Sequence, residues 1–307
     1  MGRNPETDVT ERHLRPAWTR ESERSHGGLI RAFAWIALKA GRTVARALLY
    51  PICLYFVLSP SARAASNTYL GRVLGRAPRF VHNFRHYHAF AAILLDRVFI
   101  LNGAYSKLDI RTFNEEILTG GAARTAGCFL LGAHLGSFEV MRALARNRGG
   151  IPVTMVMYED NARKVNAVLN AIDPARPLDV IALGKVDSML KVERALEAGR
   201  FVGMLADRTI SGEGTVTCAF FGEPARFPIG PMRLAAMLRR PVVLMLGLYR
   251  GANRYDIHIE ALADFSEVDR ASRAAAVENA VRLYAARLEH YCRLAPYNWF
   301  NFYDYWA

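Results

Sequence analysis

The segment Cys128–Glu139, CFLLGAHLGSFE, decides the fold. Its first six residues, Cys128–Ala133, form an uninterrupted apolar run, which is typical of a strand buried on both faces of a sheet. Gly136 permits a tight turn after that strand, and Ser137 is a suitable N-cap for a helix that begins directly afterwards. A buried strand that leads through a short turn into a helix indicates an α/β protein.

The rest of the chain alternates in the same way between short apolar runs and stretches with helical periodicity. The further predicted strands are Pro152–Met157, Val180–Leu183, Phe201–Ala206, Val216–Phe221, Val242–Leu248 and Tyr255–Ile259. The predicted helices cover 64–103, Ser137–Arg148, Ala162–Ala171, Ser188–Ala198, 231–240 and 268–292. This order predicts an α/β fold with a mixed or parallel sheet covered by helices on both faces. Ligands of such sheets usually bind beyond the carboxyl ends of the strands.

Composition excludes a disordered or fibrous protein, because 52% of the 307 residues are apolar. The chain carries 40 Lys and Arg against 28 Asp and Glu, a formal charge of +12. The excess is concentrated near the amino terminus, since Ser25–Leu95 contains nine Lys and Arg and no Asp or Glu. Such a one-sided run indicates an anionic partner, which the sequence leaves open between nucleic acid, anionic lipid and an acidic protein.

The four cysteines, Cys53, Cys128, Cys218 and Cys292, lie far apart, and none forms a C-x-x-C pair. This spacing disfavours a zinc site or a redox dithiol and favours free thiols in a protein on the cytosolic side. Residues 1–28 are charged throughout and contain no apolar core, so they do not resemble a secretory signal. We predict that they form a flexible arm.

Residues 29–62 have the pattern of a membrane anchor. On a helix, Arg31, Lys39, Arg42 and Arg46 fall within an arc of roughly 80°, and apolar residues take much of the other side. This pattern predicts a helix at a membrane interface with its cations toward lipid phosphates. The uncharged stretch that follows, 47–62, spans roughly 24 Å as a helix, short of the ~30 Å hydrocarbon core, and Pro51 is expected to kink it.

We therefore predict a membrane-embedded hairpin or anchor over 29–62, between the arm 1–28 and a catalytic domain that covers 63–307. The alternative is an amphipathic helix that packs on its own domain. Leu, Ile, Phe and Trp are interleaved with the cations at membrane-type spacing, which favours lipid over nucleic acid as the anionic partner.

The candidate site is His134, which stands where the first buried strand ends, with Glu139 five residues later in the first turn of the following helix. From that turn the carboxylate can reach back to the imidazole. A carboxylate on one ring nitrogen fixes the tautomer and raises the basicity of the other nitrogen. The pair would then be a general base that takes a proton from a substrate hydroxyl for attack on an acyl thioester. The alternative is a structural histidine satisfied by a nearby helix.

Other motifs are weaker. Ser137 lacks the second glycine of a nucleophile elbow, and Gly184-Lys185 lacks the leading glycine of a P-loop. His82, His86 and His88 have no acid or cysteine nearby in sequence, so we predict surface or interface histidines and no metal site.

Three blocks in order resemble the bacterial lipid A late acyltransferases, a branch of the acyltransferases with an H-x4-D/E motif. They are GAHLGSFE from Gly132, LADRT from Leu205, and FFGEPARFPIGPMRLAAMLRRPVV from Phe220. The resemblance implies a membrane-associated α/β acyltransferase that uses acyl carrier protein thioesters. His134 matches the family's base, Glu139 its partner, and Asp207 a conserved acid.

The resemblance also implies an arginine near the third strand, for which Arg163 is the nearest candidate. Arg208, next to Asp207, is a candidate to bind a phosphate or polarise the thioester carbonyl, and an ordinary Asp–Arg surface pair is the alternative. The family's basic segment Trp-x-His-Arg-Arg near the end is replaced here by the aromatic segment Asn298–Trp306. The acceptor is therefore either lipid A-like or another hydroxylated lipid.

Together with the basic and apolar segment 29–62, the resemblance implies an acyl-carrier-protein-dependent O-acyltransferase at the cytoplasmic face of a bacterial inner membrane. Its expected partners are the carrier protein, a lipid acceptor and an anionic membrane surface. The chemistry requires no metal or organic cofactor. Two alternatives remain: a lipid hydrolase or thioesterase, in which water replaces the acceptor alcohol, and a non-enzymatic peripheral membrane-binding protein.

Overall fold

The structure, a computed structural model, describes residues 27–120, 127–147, 153–158, 180–184, 187–209 and 213–306. Its strands are β1 Asp109–Phe113, β2 Phe129–Gly132, β3 Val153–Tyr158, β4 Val180–Leu183, β5 Phe201–Leu205, β6 Thr215–Phe220, β7 Glu223–Pro228, β8 Pro241–Gly251 and β9 Arg254–Asp264. Its α-helices are α1 Gly27–Leu58, α2 Pro60–Leu74, α3 Phe80–Leu101, α4 Glu116–Thr119, α5 Phe138–Asn147, α6 Ser188–Glu197, α7 Gly230–Met237 and α8 Arg273–Leu294.

Seven strands form one mixed sheet in the order β1-β9-β8-β2-β5-β3-β4. β2 lies in its middle and runs parallel to both neighbours, with Leu130 opposite Gly203 on β5 and Leu131 opposite Leu244 on β8. β9 runs antiparallel to β8, while β6 and β7 form a separate two-stranded hairpin. The predicted α/β fold with a mixed sheet is confirmed.

Each face of the sheet carries its own hydrophobic core. One core joins Leu131 and Leu244 to residues of α2, α6, α7, α8 and the β6–β7 hairpin. The other joins Leu130 and Met245 to α1, α3, α4 and α5. Because alternate residues of a strand point to opposite faces, β2 contributes to both cores and is buried along its whole length. A fully apolar run at Phe129–Gly132 is the sequence expected for such a strand.

The N-terminal helix α1 is broken at Gly41, whose φ of 83° and ψ of 165° are not helical. Pro51, where the sequence predicts a kink, lies ten residues further on inside the helix. Glycine accepts a positive φ without steric cost, so the chain bends at Gly41. Within the described part of the chain, one segment, Trp35–Leu58, is apolar and long enough to cross a membrane, with a mean hydropathy of 1.3.

One stripe of α1 packs on the protein, and the rest of its apolar surface is exposed. The packed side chains recur every four residues or a multiple of four, namely Ala37, Ala45, Leu49, Cys53 and Val57. Large apolar residues elsewhere on the helix are open, including Trp35 at 64%, Tyr55 at 74% and Leu58 at 62% exposure. α1 is therefore attached to the domain through one stripe and has a second, unpartnered apolar face.

Two cations of the predicted lipid-facing stripe turn toward the protein instead. Arg42 forms a two-pronged ion pair with Asp96 of α3, at 2.8 Å from Nε and 3.0 Å from Nη2. Arg46 donates to the phenol oxygen of Tyr249 and to the carbonyl of Ala252, both at 2.6 Å. The predicted outward orientation of the whole stripe is therefore wrong for these two cations, because Arg42 bonds a buried carboxylate and Arg46 bonds groups of the β8–β9 hairpin.

Candidate active site

His134 and Asp207 come together because their strands are neighbours in the sheet. His134 follows β2 by two residues, and Asp207 follows β5 by two residues. β2 and β5 are adjacent and parallel, so their carboxyl ends meet at the same edge. The two side chains are therefore brought into contact although 73 residues separate them in sequence.

The imidazole of His134 is bound through Nδ1 to Oδ1 of Asp207, at 2.8 Å. The other carboxylate oxygen, Oδ2, accepts three hydrogen bonds: from the backbone N–H of His134 at 3.0 Å, from the indole of Trp299 at 2.9 Å and from the amide of Asn301 at 3.1 Å. Asp207 is fully buried. Four donors thus hold one carboxylate in a single position, as a buried charge requires.

These contacts keep Asp207 ionised. Burial by itself raises the pKa of a carboxyl group. The charge that His134 carries when protonated at low pH, its hydrogen bond, the charge of Arg208 and the indole of Trp299 outweigh burial and lower the pKa of Asp207 below its usual range. An ionised Asp207 accepts only, so Nδ1 of His134 carries the proton that lies between them. Nε2 is consequently the basic nitrogen.

His134 is neutral at neutral pH. Burial lowers the pKa of its imidazole, as does the charge of Arg208, and both outweigh the opposite effect of Asp207. The side chain nevertheless retains 29% exposure. The site therefore holds a partly exposed, neutral imidazole with a basic nitrogen, which is the protonation state that a general base needs.

The turn after His134 depends on a close approach of two backbones. Gly136 has a φ of 74°, and a Cβ placed on it would lie 2.0 Å from the carbonyl oxygen of Gly247 on β8. That carbonyl accepts a hydrogen bond from the backbone N–H of Ser137 at 2.7 Å. Ser137 then caps α5 by accepting from the N–H of Val140 at 3.3 Å. The predicted roles of Gly136 and Ser137 are confirmed.

Glu139 lies in the first turn of α5, as predicted, but its carboxylate does not bond the imidazole. It forms ion pairs with Arg97 of α3 at 3.0 Å and with Arg142 at 2.9 Å. The expected hydrogen bond between His134 and Glu139 is therefore wrong, and Asp207 takes that position. The reason is local: two arginines flank Glu139, and the nearly buried carboxylate needs their charge.

Arg208 lies beside the pair and is bound to the C-terminal segment. Its Nε donates to Oδ1 of Asn301 at 2.8 Å, and its Nη2 donates to the carbonyl of Phe300 at 3.1 Å. These two neutral oxygens orient the guanidinium next to the site. Arg208 is therefore held by the C-terminal segment and is not simply an ordinary surface partner of Asp207. Arg163, the other predicted arginine, lies outside the described residues.

Sequence reasoning did not assign the residues that hold Asp207 from the C-terminal side. Trp299 is buried, and it pairs with Leu135 in an isolated antiparallel bridge. The backbone N–H of Phe300 donates to the carbonyl of His134 at 2.7 Å. The sequence contains one indication of this role. Asn298 and Asn301 stand within a run of aromatic residues, and an amide that is buried with such a run needs hydrogen-bond partners.

Two further features define the surroundings. Among the described residues, no group of His, Cys, Asp and Glu side chains is arranged to hold a metal ion. An apolar cavity of about 30 Å³ lies between β2 and α5, lined by residues that include Leu130, Phe138 and Met141. A volume of that size holds about one water molecule, so the cavity does not contain a fatty acyl chain in this conformation.

One comparison with known proteins, the match to a family profile, identifies a family for this chain. No curated protein matches the chain. Among solved structures, the chain is similar to the 1-acyl-sn-glycerophosphate (LPA) acyltransferase PlsC from Thermotoga maritima. That match has 16% identity and a TM-score of 0.39, and it covers 80% of this chain and 98% of the other. The sequence profile of the bacterial lipid A biosynthesis acyltransferases matches residues 81–307, which is most of the chain, so this protein belongs to that acyltransferase family.

Proposed function

We propose that the protein is a membrane-associated O-acyltransferase that moves a fatty acyl group from an acyl carrier protein thioester to a hydroxyl of a lipid acceptor. The observation that carries this proposal is the contact between Nδ1 of His134 and the buried carboxylate of Asp207, at 2.8 Å. It leaves Nε2 as a base at the carboxyl edge of the sheet, where ligands of α/β proteins bind. Membership of the family supports acyl transfer as the reaction class.

The reaction follows from these positions. Nε2 of His134 takes the proton of the acceptor hydroxyl while the hydroxyl oxygen attacks the thioester carbonyl carbon, which forms a tetrahedral intermediate. The intermediate collapses, the carbon–sulfur bond breaks, and the leaving thiolate takes the proton back from Nε2. Asp207 remains ionised throughout and stabilises the imidazolium that exists between the two transfers.

Arg208 contributes charge to this reaction. Its guanidinium is close enough to lower the pKa of His134, and it is oriented by Asn301 and Phe300. A fixed positive charge of this kind favours the oxyanion of the tetrahedral intermediate over the neutral thioester. We therefore assign Arg208 to oxyanion stabilisation rather than to phosphate binding.

The exposed apolar face of α1 supports a location at a membrane. Trp35, Tyr55 and Leu58 are each more than half exposed, which a soluble surface rarely tolerates over a whole helix. A lipid acceptor resides in the bilayer, whereas an acyl carrier protein is supplied from the cytosol. We place the enzyme at the cytoplasmic face of a bacterial inner membrane for that reason, with a lipid A-like or another hydroxylated lipid as acceptor.

The test compares Asp207→Asn with Glu139→Gln in purified enzyme supplied with acyl carrier protein thioester and lipid acceptor in detergent micelles. Asp207→Asn removes the charge that supports the imidazolium, so we expect kcat/KM to fall about 10²–10⁴-fold. His134→Ala should be at least as damaging. Because Asp207 raises the pKa of His134, the acid limb of the pH–rate profile of the Asn variant should move to lower pH.

Glu139→Gln is the matched variant, because it removes a carboxylate that contacts two arginines and not the imidazole. We expect its acid limb to stay where it is in the unmodified enzyme, even if the rate falls through loss of packing. A shifted limb in Glu139→Gln with an unshifted limb in Asp207→Asn would refute the assignment. Product analysis separates the alternative function, since free fatty acid without acylated acceptor would identify a hydrolase.

A further inference from the structure

A cavity of about 860 Å³ lies on the α1 side of the sheet, away from His134. Its walls come from α1, α3, β1, the adjoining ends of β8 and β9 with the turn between them, and the segment that follows α8. Five arginines line it, one each from α1, α3, β1, β8 and β9: Arg46, Arg85, Arg111, Arg250 and Arg254. So many cations in one cavity repel one another unless an anion lies between them.

The acids of this cavity do not balance its arginines. Asp256 is bound to Nε of Arg250 at 3.1 Å, and Asp109 is the other acid in the lining. Within the described ranges, no ion pair with a carboxylate joins Arg85, Arg111 or Arg254. The lining side chains of Arg and Asp therefore leave a formal charge of +3. Burial, followed by the charge of Arg46, lowers the pKa of His88, so the lining histidine does not change this balance at neutral pH.

The arginines that line this cavity without a carboxylate partner are suited to bind phosphate. A guanidinium offers donors in a planar fork that matches phosphate oxygens and stays charged at any physiological pH. Arg46 is already oriented by Tyr249 and Ala252. Arg85 and Arg254 are exposed side chains that line the cavity from opposite elements, α3 and β9. An anion between them meets donors from more than one direction.

The position of the cavity favours a lipid as the source of the phosphate. Arg46 and Tyr50 belong to Trp35–Leu58, the apolar segment of α1, and Tyr50 is 57% exposed. The exposed Val81 at the start of α3 also lines the cavity. The cationic lining is thus adjacent to apolar groups that face outward. A bilayer has the matching arrangement, because its lipid phosphates lie next to its acyl chains.

We propose that this cavity is a second anion site, which binds the phosphate head group of a membrane lipid separately from the His134 site. The site is also connected to the catalytic loop. The side-chain amide of Asn298, which lines the cavity, accepts from the backbone N–H of Tyr249 and donates to the carbonyl of the same residue. The backbone carbonyl of Asn298 accepts from the N–H of Gly136, in the turn that follows His134. The proposed binding of a lipid head group does not depend on acyl transfer, so it can be measured in the absence of an acyl donor.

The experiment titrates the full-length protein in micelles of a neutral detergent with dioctanoyl phosphatidic acid, dioctanoyl phosphatidylcholine or inorganic phosphate, and follows heat. We expect saturable binding of phosphatidic acid and much weaker binding of the other two. The double variant Arg85→Gln/Arg254→Gln should bind phosphatidic acid at least about tenfold more weakly, because it loses two charge-assisted contacts.

The matched control is Arg226→Gln/Arg270→Gln, which removes two arginines that are also exposed but do not line the cavity. It should bind phosphatidic acid as the unmodified protein does, and both double variants should keep the melting temperature. Unchanged affinity of Arg85→Gln/Arg254→Gln for phosphatidic acid would overturn the proposal. This is also the result expected if phosphatidic acid binds at His134 instead of in this cavity. Equal affinity for inorganic phosphate and phosphatidic acid would overturn the assignment to a lipid.

Discussion

The carboxylate of Asp207 is held in one orientation, because His134, Trp299 and Asn301 donate hydrogen bonds to both of its oxygens. This suits the proposed role of His134 as the base, because its ring orientation and tautomer are set before any substrate binds. The backbone of the same loop is equally constrained through the contact between Gly136 and Gly247. Both constraints act on single residues, and each can be tested by a single substitution.

Gly136→Ala should inactivate the enzyme. The new Cβ would lie 2.0 Å from the carbonyl oxygen of Gly247, so the turn must shift and His134 must move with it. A displacement of about 1 Å at a catalytic group lowers the rate about 10²-fold. The measurement is kcat in the acyl transfer assay, combined with the melting temperature.

Gly222→Ala is the control for that substitution. Gly222 also has a positive φ, 84°, but no atom lies within 4 Å of the position that an alanine Cβ would take, so this variant carries the backbone cost without the clash. Its kcat should stay near that of the unmodified enzyme. Similar kcat values for the two variants would show that the close contact at Gly136 does not matter.

The sequence predicts His134 correctly as the end of a buried strand, whereas Asp207 is selected through the family resemblance, as a substrate-binding residue and not as the partner of His134. It does not predict their contact, because that depends on the order of strands in the sheet, with β5 next to β2. Sequence proximity favours Glu139, which is five residues from His134. The arginines that hold Glu139 include Arg97, which comes from a different helix, and no local pattern indicates such a partner.

At the scale of elements, α1 shows how a charged residue positions an apolar helix. Arg42 follows the break at Gly41 and reaches Asp96 on α3, which is fully buried and also accepts from the phenol of Tyr255 at 2.9 Å. The helical periodicity of this stretch is predictable from sequence. The direction in which its cations point is not, because Arg42 and Arg46 belong to a stripe whose spacing fits a lipid surface equally well.

Arg42→Leu should destabilise the protein. It leaves the Asp96 charge buried, and among the described residues the phenol of Tyr255 is its remaining hydrogen-bond partner, which costs about 3 kcal/mol. The double variant Arg42→Leu/Asp96→Asn removes that charge and should recover most of the loss. The apparent melting temperature in detergent measures both effects, with Lys39→Leu, an exposed cation three residues earlier, as control. No recovery in the double variant would contradict the ion-pair explanation.

At the scale of the whole molecule, His86 connects three parts of the chain. This fully buried residue of α3 bonds the hydroxyl of Ser66 on α2 through Nδ1 and the carbonyl of Trp299 through Nε2, both at 2.8 Å. A carbonyl only accepts, so Nε2 donates and Nδ1 accepts from the serine. Burial lowers the pKa of His86 from 6.5 to about 4, although the bond to Trp299 acts in the opposite direction.

The free energy of unfolding should therefore fall as the pH decreases from 6.5 to about 4. In this window the unfolded chain binds a proton at His86 and the folded protein does not, so acidification favours unfolding, by about 3 kcal/mol in total for this residue. His86→Gln lacks the titrating group and should show a shallower pH dependence in denaturant titrations. The exposed His290, replaced by Gln, serves as control. An unchanged slope for His86→Gln would contradict this assignment.

The approach of Gly136 to Gly247 also has a consequence for how this family can diverge. An alanine at position 136 meets the main chain of residue 247, and an alanine at 247 meets the carbonyl of Ser137 at 2.7 Å. Because the obstacle is main chain in both directions, no side-chain replacement at the partner position creates room. Neither glycine can change first, so descendants that keep this turn should keep both.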